Sequence, residues 1–370
     1  MNNQLNLQEI DQEQATNLCS FFIRSGQNVI LLGRRGTGKT AIAMQAALEC
    51  GFKIIYINLS VLERPDLAGY PDLHSDQDVI TFKSPFFLPK LKKNEKPNSI
   101  ILFDEVDKAS PDVTAPLLEI LQFKKINGQP INAAGCILTG NLIQEGAYSN
   151  LISSALLDRG AKFVLNFNFD RWLDWAKENG VHDLILGFLR HKPELACGKI
   201  EDTAFASPSP RGWTLASEAL VKAKQLKMAD TDTAVSIIAG YVGYEAAIQF
   251  KIWYEYYRKY EGFVQQAIDD GEMHLEYASL NMTERIVFVI SCCLYAKQKA
   301  IKCITKIKPT FACLDNLCEF FVNNNVDKEL QAMGLYNAFS FDLITKYKLY
   351  TCRSFFDLFT KLTENITIKK

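Results

Sequence analysis

The chain has 370 residues, 48% of them hydrophobic and 22% charged, which supplies apolar material for more than one buried core. A net charge of −1 excludes a global electrostatic hold on nucleic acid, while leaving room for a local basic groove. The ten cysteines form no CxxC pair and the four histidines do not stand at zinc spacing beside them, so structural thiols in a reducing compartment are expected. No basic-then-apolar leader opens the chain and no apolar run approaches ~20 residues, so a cytoplasmic protein with no membrane association is expected.

Residues 1–27 predict a helical lead-in through Leu7, Ile10, Leu18 and Phe21–Ile23. Asn28–Leu32 is a buried strand ending in Gly33, Thr40–Cys50 an Ala-rich helix stopped by Gly51, and Phe52–Leu59 a second strand. Residues 60–97 carry five prolines and an alternating piece around Val79–Phe82, which predicts loops, a small hairpin and a short helix. Asn98–Phe103 is a third strand, Thr114–Gln122 a helix, and Phe123–Ala133 a hairpin turned at Asn127-Gly128. Gly135–Thr139 and Phe163–Phe167 complete five parallel strands alternating with helices, a doubly wound α/β core. Beyond residue 171 the pattern is helical: 171–178, 181–191, 211–226, 233–260, then periodic apolar stretches at Ile286–Tyr295, Phe311–Phe321 and Phe355–Leu362.

Gly33-Arg34-Arg35-Gly36-Thr37-Gly38-Lys39-Thr40 fits GxxxxGK[ST]. Glycines let backbone N–H groups turn inward around a phosphate, Lys39 neutralises it, Thr40 offers a hydroxyl to Mg2+, and the helix that begins near Ala41 points its positive end at the anion. The strand Ile100–Phe103 ends in Asp104-Glu105: the first acid suits a magnesium site, the second a water-activating base. ATP binding through Gly33–Ala41 and Asp104, with Mg2+ at Thr40 and Asp104, is expected. Arg34 and Arg35 are bulky for the variable loop positions and either touch phosphate or a neighbouring subunit, or are solvated. No guanine-specific [NT]KxD loop is present, which favours ATP over GTP.

On these motifs the chain resembles the AAA+ superfamily, in the branch holding MoxR-type ATPases, dynein-related AAA modules (AAA_5) and the ATPase subunits of magnesium and cobalt chelatases. The resemblance extends over roughly residues 25–260. It implies a P-loop AAA+ core at 1–170 with a five-stranded parallel sheet, a helix-2 insert and a hairpin before sensor 1; a helical lid at 171–262; and an extra helical module at 263–370. Ile137–Asn141 is similar to sensor 1, which would make Asn141 the water-positioning amide. Ala155-Leu156-Leu157-Asp158-Arg159 is similar to a segment whose arginine reaches the neighbouring subunit's γ-phosphate; the alternative is a local pair with Asp158. Ser207–Trp213 resembles the start of the lid, which would make Arg211 the sensor 2 arginine, in cis or in trans. Residues 60–88 resemble the insert facing a ring pore, where Tyr70, Phe86 and Phe87 would either touch substrate or fill the insert's base. Gly240–Ala247 is similar to a lid stretch in which glycines serve close helix packing.

A hexameric, ATP-hydrolysing ring motor that remodels a protein partner follows from the resemblance, as does a partner with a von Willebrand factor A domain. A DNA-handling motor (helicase loader or restriction-type translocase), a chelatase subunit, a monomeric P-loop kinase and a slow ATP-binding switch are the competing readings. Residues 281–370 hold 13 basic against 8 acidic residues, including Lys297, Lys299, Lys302, Lys306 and Lys308, yet no nucleic-acid-binding motif accompanies them.

Overall fold

The computed structural model describes residues 7–72, 80–142, 152–198, 207–226, 230–272, 275–304 and 311–367. Val79, Lys306 and Lys308 lie outside them. The chain divides into two compact units, one reaching to Trp172 and one holding the helices from Leu173 onward.

The first unit runs β1 (Gln8–Ile10), α1 (Gln12–Arg24), β2 (Val29–Gly33), α2 (Lys39–Glu49), β3 (Lys53–Asn58), α3 (Arg64–Ala68), β4 (Tyr70–Asp72), β5 (Thr81–Lys83), β6 (Ser99–Asp104), α4 (Pro111–Phe123), β7 (Lys125–Ile126), β8 (Gln129–Pro130), β9 (Gly135–Gly140), α5 (Ser154–Leu157), β10 (Ala161–Leu165) and α6 (Phe169–Glu178), the last crossing into the second unit. Six strands, not the expected five, form one parallel sheet in the order β1-β10-β2-β9-β6-β3. The addition is β1, which pairs Gln8–Ile10 with Phe163–Leu165. Three residues are too short to show a period, and Leu7 and Ile10 also fit the helical spacing of α1, whose true start is the Asp11–Gln14 capping box.

The central strands read as unbroken apolar runs because both faces of the sheet are covered. Ile30, Leu32, Ile101, Phe103 and Leu138 face Val113, Leu117 and Ile120 of α4. Their alternates Val29, Ile100, Leu102 and Ile137 face Cys19 and Ile23 of α1 and Ala43, Ala46 and Ala47 of α2. Each such side chain contributes roughly 1.5–3 kcal/mol through burial, so the strand ends that carry the polar loops are anchored firmly. The hairpin β7–β8 turns at Asn127 and Gly128, both with positive φ, as expected. The β4–β5 hairpin begins after Gly69, where a Cβ would come within 2.2 Å of the Lys83 carbonyl oxygen.

The second unit contains α7 (Asp183–His191), α8 (Pro210–Gln225), α9 (Thr231–Val242), α10 (Tyr244–Asp269), α11 (Met282–Cys303), α12 (Ala312–Asn323), α13 (Lys328–Ala338), α14 (Phe341–Lys346) and α15 (Arg353–Thr367). The single helix expected over 233–260 is two, broken by Gly243 at φ 91°. Close packing falls on Gly212, where a Cβ would lie 2.8 Å from the Tyr241 carbonyl, whereas Gly240 faces open space. Helix α10 runs on past residue 262 to Asp269, and α11 packs on it as well as on α7, α12 and α13. Ile286–Leu294 of α11 is buried without a break, as an apolar-all-round helix at the centre of a bundle must be. Cys292 and Cys293 lie in this run, and none of the ten cysteines is in a disulfide. Lys297 and Lys299 pair with Asp183 (2.5 Å) and Asp269 (3.0 Å). No described helix is long and apolar enough to cross a membrane.

Candidate nucleotide site

The site stands at the carboxyl ends of β2, β6 and β9, neighbours in the parallel sheet. The register places Leu32 beside Gly140 and Phe103 beside Leu138, so the phosphate loop, the acid pair and Asn141 emerge side by side.

Gly38 holds φ 96° at the start of α2, and no side chain caps that helix. Its first-turn N–H groups are therefore oriented toward an anion with no competing acceptor from a cap. Lys39 is buried, and its ammonium donates to the carbonyls of Gly33 and Arg34 (both 2.7 Å) and to Asn141 Oδ1 (3.1 Å). Thr37 Oγ1 donates to Arg34 O (2.7 Å), closing the loop on itself. Thr40 Oγ1 donates to Asp104 Oδ2 (3.1 Å), which puts the hydroxyl and the carboxylate suited to Mg2+ together.

Glu105 follows Asp104 in the left-handed region, φ 57°, an arrangement costing on the order of 1 kcal/mol for a residue with a Cβ and tending to mark functional sites. Its Oε1 accepts from Lys108 Nζ at 2.8 Å. Partial burial disfavours its ionised form, but hydrogen bonds from Lys108 and Ser60 and the Lys108 charge outweigh that and hold the carboxyl below its ordinary 4.5.

Four contributors to the site carried no motif. Asp107 is buried and accepts from both the backbone N (2.9 Å) and Nδ2 (3.3 Å) of Asn141, aiming that amide's oxygen at Lys39. Thr139, fully buried on β9, donates its hydroxyl to Asp104 Oδ1. Tyr56 on β3 donates to Asp104 Oδ2 at 3.1 Å. Lys108 stands three residues after Glu105, a helical spacing that could have flagged it.

Residues 29–160 match the model of the family described as "ATPase family associated with various cellular activities (AAA)". They are an AAA ATPase domain. The activity that goes with this domain is ATP hydrolysis, with ATP and Mg2+ as cofactors. Among curated proteins, the chaperone protein ClpB of Mycoplasma genitalium is 33% identical over 124 residues, 30% of this chain and 17% of that protein. The ATP-binding subunit ClpL of the Clp protease of Staphylococcus aureus is 29% identical over 143 residues, 33% of this chain and 19% of its own length. The chain thus spans under a fifth of either relative. Among solved structures, the Thermotoga maritima RuvB Holliday junction branch migration motor aligns over 91% of this chain and 88% of its own, at 16% identity and a TM-score of 0.38.

The residues of the AAA domain fit Mg-ATP: an uncapped helix start and a buried lysine for the phosphates, and a hydroxyl and a carboxylate in contact for the cation. Arg159 is not brought to this site. Its carbonyl accepts from Asn28 Nδ2 (2.8 Å), before β2 begins, while the phosphate loop leaves the other end of that strand, about 13 Å away at roughly 3.3 Å per residue. Its guanidinium donates to the Ala155 carbonyl and to Gln122 Oε1 (3.1 Å). Arg211 is exposed as the second residue of α8, after the Ser209 cap, in the second unit. Phe87 packs on the core, while Phe86 and Tyr70 are 98% and 59% exposed.

Proposed function

We propose that the chain is a ring motor, a cytoplasmic hexamer with ATP bound between subunits, of the MoxR, dynein-related and chelatase-like branch. In this reading residues 1–170 are the motor core, 171–262 the lid and 263–370 an added helical module. Lys39, Thr40 and Asp104 hold Mg-ATP, with Gly33–Ala41 wrapping the phosphates. Glu105 takes the proton of the attacking water, Asn141 holds that water in line, and Arg159 of the next subunit stabilises the charge that develops on the γ-phosphate. Arg211 links nucleotide state to the lid.

The observation that carries the shared-site reading is the distance of Arg159 from its own phosphate loop: a catalytic role for it requires a second subunit. The output we assign is remodelling of a protein, through a partner with a von Willebrand factor A domain. In its support are the matches to a chaperone and to a Clp protease's ATP-binding subunit, and the solvent-facing Phe86 and Tyr70 on the insert.

The test is ATPase activity against protein concentration, with Glu105→Gln and Arg159→Ala measured singly and mixed. Turnover per subunit should rise with concentration, each variant should be inactive, and mixing should restore part of the activity. Concentration-independent turnover with a fully active Arg159→Ala would sink the shared-site reading.

A further inference from the structure

Asp104 accepts four hydrogen bonds: from Thr139 Oγ1 and the Glu105 N–H (2.9 Å) on Oδ1, and from Thr40 Oγ1 (3.1 Å) and Tyr56 Oη (3.1 Å) on Oδ2. A carboxylate has about four lone-pair positions, so among the described residues its acceptor capacity is filled. Any cation or cation-bound water that is to use Asp104 must take over a position that a donor now holds.

The four donors differ in how readily they can yield. Thr139 is fully buried on β9, between β2 and β6, and its hydroxyl has no room to turn away. The Glu105 N–H is backbone, set by the strand end. Thr40 can keep its proton on Asp104 while a lone pair of the same oxygen faces a cation. Tyr56 is the exception. It lies on β3, the edge strand of the sheet, and is 47% exposed. The register pairs Tyr56 with Leu102, two residues before Asp104 and therefore on the same face, so the ring leans along the strand to reach the carboxylate. Asn58, directly opposite Asp104, is occupied instead with Ser60.

We infer that Tyr56 is a positioning residue that sets the metal affinity of the site: its phenol occupies the Oδ2 position that the Mg2+ site needs, and metal uptake with nucleotide displaces it outward into solvent. The motor then discriminates between free nucleotide, which leaves the Tyr56–Asp104 contact intact, and metal-nucleotide, which breaks it. Ser60, four residues along the same chain segment, donates its hydroxyl to Asn58 Oδ1 (2.8 Å), and that segment leads on into the insert. This rests on the assignment of Asp104 to the metal.

The experiment is a Mn2+ titration of the full chain, followed by the loss of the free Mn2+ paramagnetic resonance signal, with a β,γ-imido ATP analogue present. Tyr56→Phe keeps the ring and removes only the hydroxyl. It should bind Mn2+ about three- to tenfold more tightly than wild type, with unchanged analogue affinity in chelator and a metal-free melting temperature lowered by about 4 °C at most. Equal or weaker Mn2+ binding in Tyr56→Phe, against normal uptake by wild type, overturns the displacement role alone. Wild-type protein that takes up no metal with the analogue, or a Thr40→Ala variant that takes it up undiminished, overturns the nucleotide-site assignment and this inference together.

Discussion

Lys39 Nζ lies 3.1 Å from Oδ1 of Asn141, across 102 residues of sequence. The contact joins the phosphate loop to the end of β9, and its orientation is not left to chance. Asp107 accepts from both nitrogens of Asn141, which turns the amide oxygen toward the ammonium. The three residues form a line from a buried carboxylate through an amide to a cation, set where the γ-phosphate is expected.

Breaking that line should slow hydrolysis more than it weakens binding. Asn141→Ala is expected to lower kcat about 10²-fold, with nucleotide affinity changed only a few-fold, since a positioned polar group acts mainly in the transition state. Gly140→Ala tests the same line from behind. Its Cβ would meet Val106 Cγ1 at 2.8 Å and Asp107 Oδ1 at 3.1 Å, pushing Asp107 off Asn141. We expect a fall in kcat in the same direction and a loss of about 1–3 kcal/mol in stability. Steady-state ATPase assays beside fluorescent-nucleotide titration and denaturant melts decide it; a Gly140→Ala enzyme with wild-type kcat would show that Asp107 does not orient Asn141.

What was legible in the sequence followed physical range. Gly33–Thr40 and Asp104-Glu105 are local patterns whose chemistry lies in adjacent residues, and the structure sets Thr40 against Asp104. The parallel strands were legible because burial on both faces leaves an apolar run bounded by glycine or acid. Tyr56, Asp107 and Thr139 were not, because each acts through the register of one strand against another, which no local window contains. The edge strand β1 escaped for a different reason: three residues supply no period. The break at Gly243 was hidden because helical periodicity persists on both sides of it, and only the left-handed φ at that residue separates α9 from α10.

Glu105 offers a pH prediction. Burial works to raise its pKa, while the Lys108 and Ser60 hydrogen bonds and the Lys108 charge lower it, and the lowering wins. The base is therefore ionised throughout the neutral range, and its contribution to the acid limb of a kcat profile lies below the ordinary carboxylate value. Lys108→Met deletes a lowering influence and leaves the burial. The carboxyl pKa must rise, and the acid limb should move toward higher pH. Profiles of kcat for the two proteins, each measured over its stable range, would reject the idea if they overlaid.

His182 governs a second pH dependence, in stability instead of rate. Its Nδ1 accepts the Leu184 N–H (3.2 Å) and so caps α7, while its own N–H on the backbone donates to Ser217 Oγ (2.7 Å). Only the neutral imidazole can accept, and a positive charge at a helix N-terminus is unfavourable. Burial, helped by the charges of Lys224 and Lys297 and opposed by Asp183, holds the pKa below 6.5. The unfolded chain therefore takes up this proton first. The stability that the neutral cap contributes is whole above pH 6.5 and is lost as the pH falls from there toward the folded value, at no more than about 1.4 kcal/mol per pH unit. His191, stacked on Trp253, is shifted in the same direction, so a wild-type melt alone cannot separate the two. His182→Asn can, because an asparagine oxygen caps the helix at every pH. Melting temperatures from pH 8 to 5.5 should fall more steeply for wild type than for His182→Asn below pH 6.5, and parallel curves would remove His182 from the account.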